Sequence, residues 1–337
     1  MAYITLDKKN FFYNLDIIAK QTKSIDKIAF VLKDNAYGHG FFEMAQLAKE
    51  YGIKKVVVQK YDEAQKIEGM FEYVLVLADV GDVKSNIHYT INDLSSIEKF
   101  MPDTKVELKV NTGMNRNGIE MDELEEAFKK IAKYKLKLKA VFMHHGCADE
   151  MNGIYEKQCK NFEVVKQKAK ELATIYDLDL KFHSCNSAGL FRSKDFSEDM
   201  ARVGIAAYGC LDMPKEICDV KLKPVLSLYA KKISQRVVKK GGYVGYGATF
   251  QSTKDEVVSN YDVGYGDGFL RLCSNSYITP DGIKIAGRIS MDNSSFLSDK
   301  DEILIFRDAN EIAKYAKTIG YEVLTSLKRE LKRVVLR

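Results

Sequence analysis

The sequence predicts an α/β chain of two domains: a (β/α)8 TIM-like barrel over residues 1–220, followed by a mostly-β domain over residues 221–337. Three observations carry this expectation. Short apolar runs alternate with helical patterns through the first two-thirds of the chain, which means parallel strand pairing. Residues with chemical potential recur just past the ends of those runs. The texture then changes near Lys221-Leu222-Lys223-Pro224, and 337 residues exceed what one hydrophobic core comfortably serves.

In chain order, the strands are expected at Ile28–Leu32, Lys55–Val58, Tyr73–Leu77, Val106–Val110, Lys139–Met143 and Lys181–Ser184. Helices are expected between them at Phe41–Tyr51, Asp122–Tyr134 and Tyr155–Tyr176. Such alternation builds either a closed barrel or an open doubly wound sheet. The barrel is favoured because Lys33, the segment Asn111 to Arg116, His144, and the segment His183 to Ser187 all follow strand ends, and a barrel gathers those on a single face. Beyond residue 220, alternating stretches at Val225–Ile233, Gly242–Gly245, Tyr261–Tyr265, Ile283–Ile289 and Glu302–Phe306 are broken by Gly, Asp, Asn and Ser. A helical stretch, Ala309–Ile319, precedes the C-terminus.

Composition excludes several classes. Apolar content is 46% and charged content 29%, ordinary for a globular protein, and the net charge of +5 is dispersed among Lys and Glu rather than gathered in a stripe. Nucleic-acid binding is therefore not expected. The segment MAYITLDKKNFF lacks the apolar core of a signal peptide, and no run approaches the ~20 apolar residues of a membrane span. The six cysteines are scattered, as expected for reduced thiols in a cytoplasmic protein. His144-His145-Gly146-Cys147 is no metal site by this reading, because adjacent strand residues face opposite ways.

The stretch Val31-Leu32-Lys33-Asp34-Asn35-Ala36-Tyr37-Gly38-His39-Gly40 is the most informative. A lysine at the mouth of a buried strand loses hydration, and its amine is freed to attack a carbonyl. Arg116, in a Gly-rich turn after a strand, can clamp a carboxylate through two parallel hydrogen bonds. Ser187 with nearby backbone N–H groups can cradle a phosphate without a Walker loop.

Seven segments, in order between residues 28 and 323, resemble those of the alanine racemase family, whose cofactor is pyridoxal 5'-phosphate (PLP). Beside the Lys33 segment these are Lys109–Gly118, His183–Ala188, Arg202–Ile205, Val263–Phe269, Gly287–Asp292 and Ile319–Val323. The resemblance implies that Lys33 carries PLP and that Tyr37, Ser187, Gly204, Ile205 and Tyr321 hold its phosphate. It further implies that Arg202 faces the pyridine nitrogen, His144 packs near the ring, and Lys109 matches a lysine that is carbamylated in several members. Arg116 and the Met291 N–H would take the substrate carboxylate, and Lys33 and Tyr265 would be the two bases. Asn111 stands where the family usually has aspartate, Asn293 where it has glutamine, and Gly320 where it commonly has asparagine.

In the family, the tyrosine and the methionine loop come from a partner subunit, which implies a homodimer with composite sites. The expected activity is interconversion of L- and D-alanine, supplying D-alanine for peptidoglycan. Alternatives are a racemase of serine, lysine or several amino acids, and a non-catalytic PLP carrier. The carrier is disfavoured because it lacks a second domain, and a PLP decarboxylase because it pairs the ring nitrogen with a carboxylate.

Overall fold

The computed structural model describes all 337 residues. Sixteen strands follow one another along the chain. The first, β1 (Tyr3–Asp7), is followed by the eight barrel strands: β2 (Ile28–Val31), β3 (Lys55–Val58), β4 (Tyr73–Val76), β5 (Ile87–Ile91), β6 (Lys105–Lys109), β7 (Lys137–Phe142), β8 (Lys181–His183) and β9 (Ala201–Val203). These run in the order β8-β7-β6-β5-β4-β3-β2-β9, and every pairing is parallel. Backbone hydrogen bonds from Asp199 N to the Phe182 carbonyl (3.1 Å) and from Arg202 N to the Cys185 carbonyl (2.9 Å) bring β8 and β9 together at the remaining seam. The expected barrel, rather than an open sheet, is what forms.

Strands β2, β3 and β4 read as nearly continuous apolar runs because a parallel sheet under helices is covered on both faces. Ile28 and Phe30 are buried in the large core, whereas Ala29 and Val31 belong to a separate small cluster with Val57, Leu75 and Met200. With a side-chain period of two, the first set meets the helices and the second fills the barrel. The helix Leu124–Lys133 shows why the outer layer forms: Leu124, Ala127, Phe128 and Ile131 lie three or four residues apart and are all buried, while the lysines and glutamates between them face water. Burying a side chain such as Phe128 stabilises by about 2 kcal/mol.

The second sheet is built on the long strand β10 (Leu226–Val238), and a hairpin pairs β11 (Tyr243–Val244) with β12 (Phe250–Gln251). The sheet is completed by β13 (Glu256–Tyr261), β14 (Ser294–Phe296), β15 (Glu302–Phe306) and β16 (Lys332–Leu336). Strand β10 lies antiparallel to β1, β13 and β15, and β16 runs parallel to β1. A division at residue 220 therefore needs a correction at its start, since β1 belongs to the second sheet and ties the two ends of the chain together. The strands expected at Tyr261–Tyr265 and Ile283–Ile289 also differ. Tyr261 ends β13, Tyr265 opens a 3-10 turn, and Lys284 and Ile285 make only isolated bridges. Strands β5 and β9 were not expected from the sequence.

Candidate active site

Lys33 leaves the end of β2 and enters a turn in which Asp34, Asn35, Ala36 and Tyr37 all have φ between 49° and 55°. Four successive left-handed residues with side chains cost about 1–2 kcal/mol each, so the surroundings must hold them. The Asn35 carboxamide oxygen accepts from Phe41 N at 2.9 Å, and the Gly40 N–H donates to the Asn35 carbonyl at 3.0 Å. Gly38 ends the turn at φ 76°, and a Cβ there would sit 1.9 Å from the Leu324 carbonyl oxygen. Arg333, from the second domain, gives all five of its N–H groups to backbone carbonyls. Two of these bonds, at 2.8 and 3.2 Å, go to the Gly38 carbonyl. The turn presents the Lys33 amine, one-third exposed, 3.5 Å from the Asp34 carboxylate.

Cations crowd the same mouth. Burial lowers the pKa of Lys109, at the end of β6, to about 8, and Arg116, Arg202 and Lys33 push it the same way. His144, after β7, is held neutral far below its ordinary range, first by burial and then by Arg202, Lys109 and Arg116. The Arg116 loop is shaped by Asn111, whose carboxamide oxygen accepts from Gly113 N (3.1 Å) and Asn115 N (3.0 Å). The Asn111 amide donates to the Glu120 carboxylate at 2.9 Å, which an aspartate in that place would repel. The substitution at 111 and Glu120 thus fit one another.

Tyr37 of the same turn packs against Gly204, beside a group of hydrogen-bonding atoms centred on Ser187. Ser187 Oγ accepts from Gly204 N and Ala206 N, each at 3.2 Å, and its own hydrogen remains to be donated. Ile205 is buried and its N–H has no acceptor in the chain. Gly204 has no room for a side chain: a Cβ would fall 2.5 Å from the Tyr37 ring and 2.9 Å from its hydroxyl. Tyr321 stands edge-on to Tyr37, ring centres 5.8 Å apart. On the barrel floor, Arg202 is buried and donates through Nη2 to the carbonyls of Met143 (2.7 Å) and Ser184 (3.0 Å). Its Nη1 donates to the His183 ring, which leaves Nε–H without a protein acceptor.

Tyr265 and Met291 lie in the second domain. Tyr265 N donates to the Ser290 carbonyl (3.0 Å) and Gly266 N to the Met291 carbonyl (2.8 Å), so the two segments form one unit. Both side chains are open to solvent, 42% and 56% exposed, and no hydrogen bond or ion pair joins them to the lysine mouth within one chain.

The family models for the alanine racemase N-terminal and C-terminal domains match residues 6–212 and 225–335. The chain belongs to the alanine racemase family. It is 43% identical to an alanine racemase of Nitratiruptor sp. over 334 residues, 99% of each chain. It is 41% identical to one of Campylobacter jejuni over 339 aligned positions, the whole of both. Among solved structures, it resembles the alanine racemase from Bacillus anthracis with bound L-Ala-P (26% identity, TM-score 0.87, 100% of this chain and 95% of that one). It also resembles an alanine racemase of Clostridium difficile (27%, TM-score 0.88, 99% and 95%).

The residues present fit the cofactor of this family. A free hydroxyl hydrogen and an unpartnered amide suit a phosphate, a lysine amine at the strand mouth suits an aldehyde carbon, and an unused guanidinium N–H suits a ring nitrogen. Two residues that reasoning from sequence did not single out are central to this layout. Arg333 sits near the end of the chain and carries no local signal. Glu107 did carry one: in Val106-Glu107-Leu108-Lys109 charged residues alternate along a strand covered on both faces, so they must meet partners inside the barrel.

Proposed function

We propose that this chain interconverts L- and D-alanine with Lys33 and Tyr265 as proton carriers on opposite faces of the substrate α-carbon. Family membership over the full length makes the enzyme a PLP-dependent alanine racemase. The carrying observation is the Lys33 amine at the mouth of β2, sharing its cationic site with Lys109, Arg116 and Arg202. Bound there, PLP supplies an electron sink that spreads the negative charge left when the α-proton departs. Everything else is the work of side chains. Lys33 holds or accepts the α-proton at Nζ on one face, and Tyr265 Oη does so on the other. Arg116 and the Met291 N–H fix the substrate carboxylate, so that only the α-hydrogen changes sides.

Ser187, Ile205, Gly204, Tyr37 and Tyr321 would hold the phosphate, and His144 would pack by the ring. The exposed Tyr265 and Met291 support a head-to-tail homodimer in which each site borrows both from the partner. Lys109 suits carbamylation: its neutral amine adds to CO2, one proton is released, and the carbamate anion lies among three cations. The six free cysteines support a cytoplasmic enzyme, and no helix is long and apolar enough to cross a membrane.

The test is racemisation of L-alanine by the PLP-loaded protein, followed by chiral chromatography beside L-serine and L-lysine. D-alanine is expected as the dominant product and is expected to vanish in Lys33→Ala. Faster turnover of serine or lysine would move the substrate assignment, and no D-amino acid from a protein that binds PLP would end the racemase reading.

A further inference from the structure

The barrel interior beneath the lysine mouth holds a polar cluster drawn from five strands: Tyr73 on β4, His88 on β5, Glu107 on β6, His183 on β8 and Arg202 on β9. Glu107 is its centre. Its Oε1 accepts from the Tyr73 hydroxyl at 2.6 Å and from His88 Nδ1 at 2.7 Å, and its Oε2 accepts from His183 Nε2 at 2.8 Å. Burial alone would raise the Glu107 pKa, but the hydrogen bonds from His183 and His88 outweigh it and the group stays ionised.

An ionised carboxylate can only accept, so the His183 proton on that side is on Nε2. On the other side, His183 Nδ1 faces Arg202 Nη1, and a guanidinium can only donate, so Nδ1 is bare. Both neighbours demand one tautomer of a neutral imidazole, and burial holds the ring neutral. The result is an alternating line, carboxylate to imidazole to guanidinium, with opposite charges at its ends. With both Nη groups committed to His183, Met143 and Ser184, Arg202 cannot turn, and Nε–H is the donor left over.

We propose that Glu107 is a positioning residue for the cofactor ring: through the His183 tautomer it locks the Arg202 guanidinium so that Nε–H alone meets the pyridine nitrogen. The proposal rests on the reading that Arg202 faces that nitrogen. Its reaction consequence follows from donor chemistry. A nitrogen that accepts from a permanently charged donor stays unprotonated, and a loosened guanidinium would leave that contact undefined.

The first measurement needs no variant. Nitrogen-15 NMR of histidine-labelled holoenzyme, with His183 assigned by its loss in His183→Gln, should show Nε2 protonated and Nδ1 bare. A proton on Nδ1, or on both nitrogens, would overturn the relay, whether or not the protein racemises alanine. The second compares two variants loaded with ring-labelled PLP. In Glu107→Gln the partner of His183 can present N–H as readily as oxygen, and the lock is lost. We expect kcat to fall about tenfold, in the range seen when supporting partners of a site are removed, with KM for alanine little changed and the ring-nitrogen resonance displaced. Tyr73→Phe removes a bond from the same carboxylate but spares the His183 link, and should keep the wild-type kcat and resonance. An unchanged Glu107→Gln, or a Tyr73→Phe equal to it, would reduce the cluster to packing and defeat the proposal. A wild-type protein that binds PLP but forms no D-alanine would instead fail the functional reading and leave the tautomer result standing.

Discussion

Lys109 shows how a single residue can be costly to the fold and still serve the site. Its folded pKa is about 8, below the ordinary lysine value, because burial and three cationic neighbours oppose its charge. The sign follows from proton counting. Below pH 8 the lysine is protonated in both folded and unfolded chains, so the whole cost is present; it is relieved as pH rises through 8 toward the unfolded value. That cost is of the order of 3 kcal/mol. Carbamylation would turn the cost into attraction by placing an anion among Arg116, Arg202 and Lys33. We predict that holoenzyme in 13C-bicarbonate near pH 8 gains a carbamate carbon resonance that is absent from Lys109→Met. In CO2-free buffer at pH 7, Lys109→Met should raise the urea midpoint, because a buried cation is removed from beside Arg116, Arg202 and Lys33. In bicarbonate it should weaken alanine binding, because Arg116 then lacks the carbamate anion. A variant no more stable than wild type would place the cationic crowding elsewhere.

Among elements, the turn after β2 matters most, since its left-handed residues must be held from outside. Arg333 meets that need with five donors in one plane, and Gly38 leaves room for the approach of Leu324. Lysine would keep the charge but lose the fork. We predict that Arg333→Lys lowers stability by about 2 kcal/mol and speeds PLP release, measured by urea unfolding and by cofactor dissociation; unchanged release would mean that the turn holds itself. Little of this was legible in the sequence. The apolar runs of β2, β3 and β7 announced themselves. The lysine stood out through the resemblance of its segment to that of the alanine racemase family, its place at a strand mouth alone being equally that of a surface lysine. The three residues of β9, with Arg202 at the centre, are too short and too polar to register as a strand. Strand β5 reads Ile87-His88-Tyr89-Thr90-Ile91, and its inward His88 makes sense only once Glu107 is opposite. Arg333 reaches Gly38 across 295 positions, a contact that periodicity cannot carry.

At the scale of the whole molecule, the chain closes on itself but joins its two proposed bases by no hydrogen bond or ion pair. Strand β1 joins the second sheet, β16 runs beside it, and the second domain is thereby fixed against the barrel mouth. Tyr265 is exposed and makes no hydrogen bond or ion pair with the lysine mouth, which suits the proposal that a second copy brings the tyrosine. Composite sites have a countable consequence. Lys33→Ala and Tyr265→Phe should each be inactive alone. Mixed by co-expression in equal amounts, they should form hybrids as half of all dimers, each with one intact site of two, and regain about a quarter of wild-type activity by the statistics of random pairing. If each site were made within one chain, every site in the mixture would carry a defect and no activity would return. The measurement is the initial rate of D-alanine formation per dimer, with the hybrid isolated through two different affinity tags to show that the recovered activity travels with it.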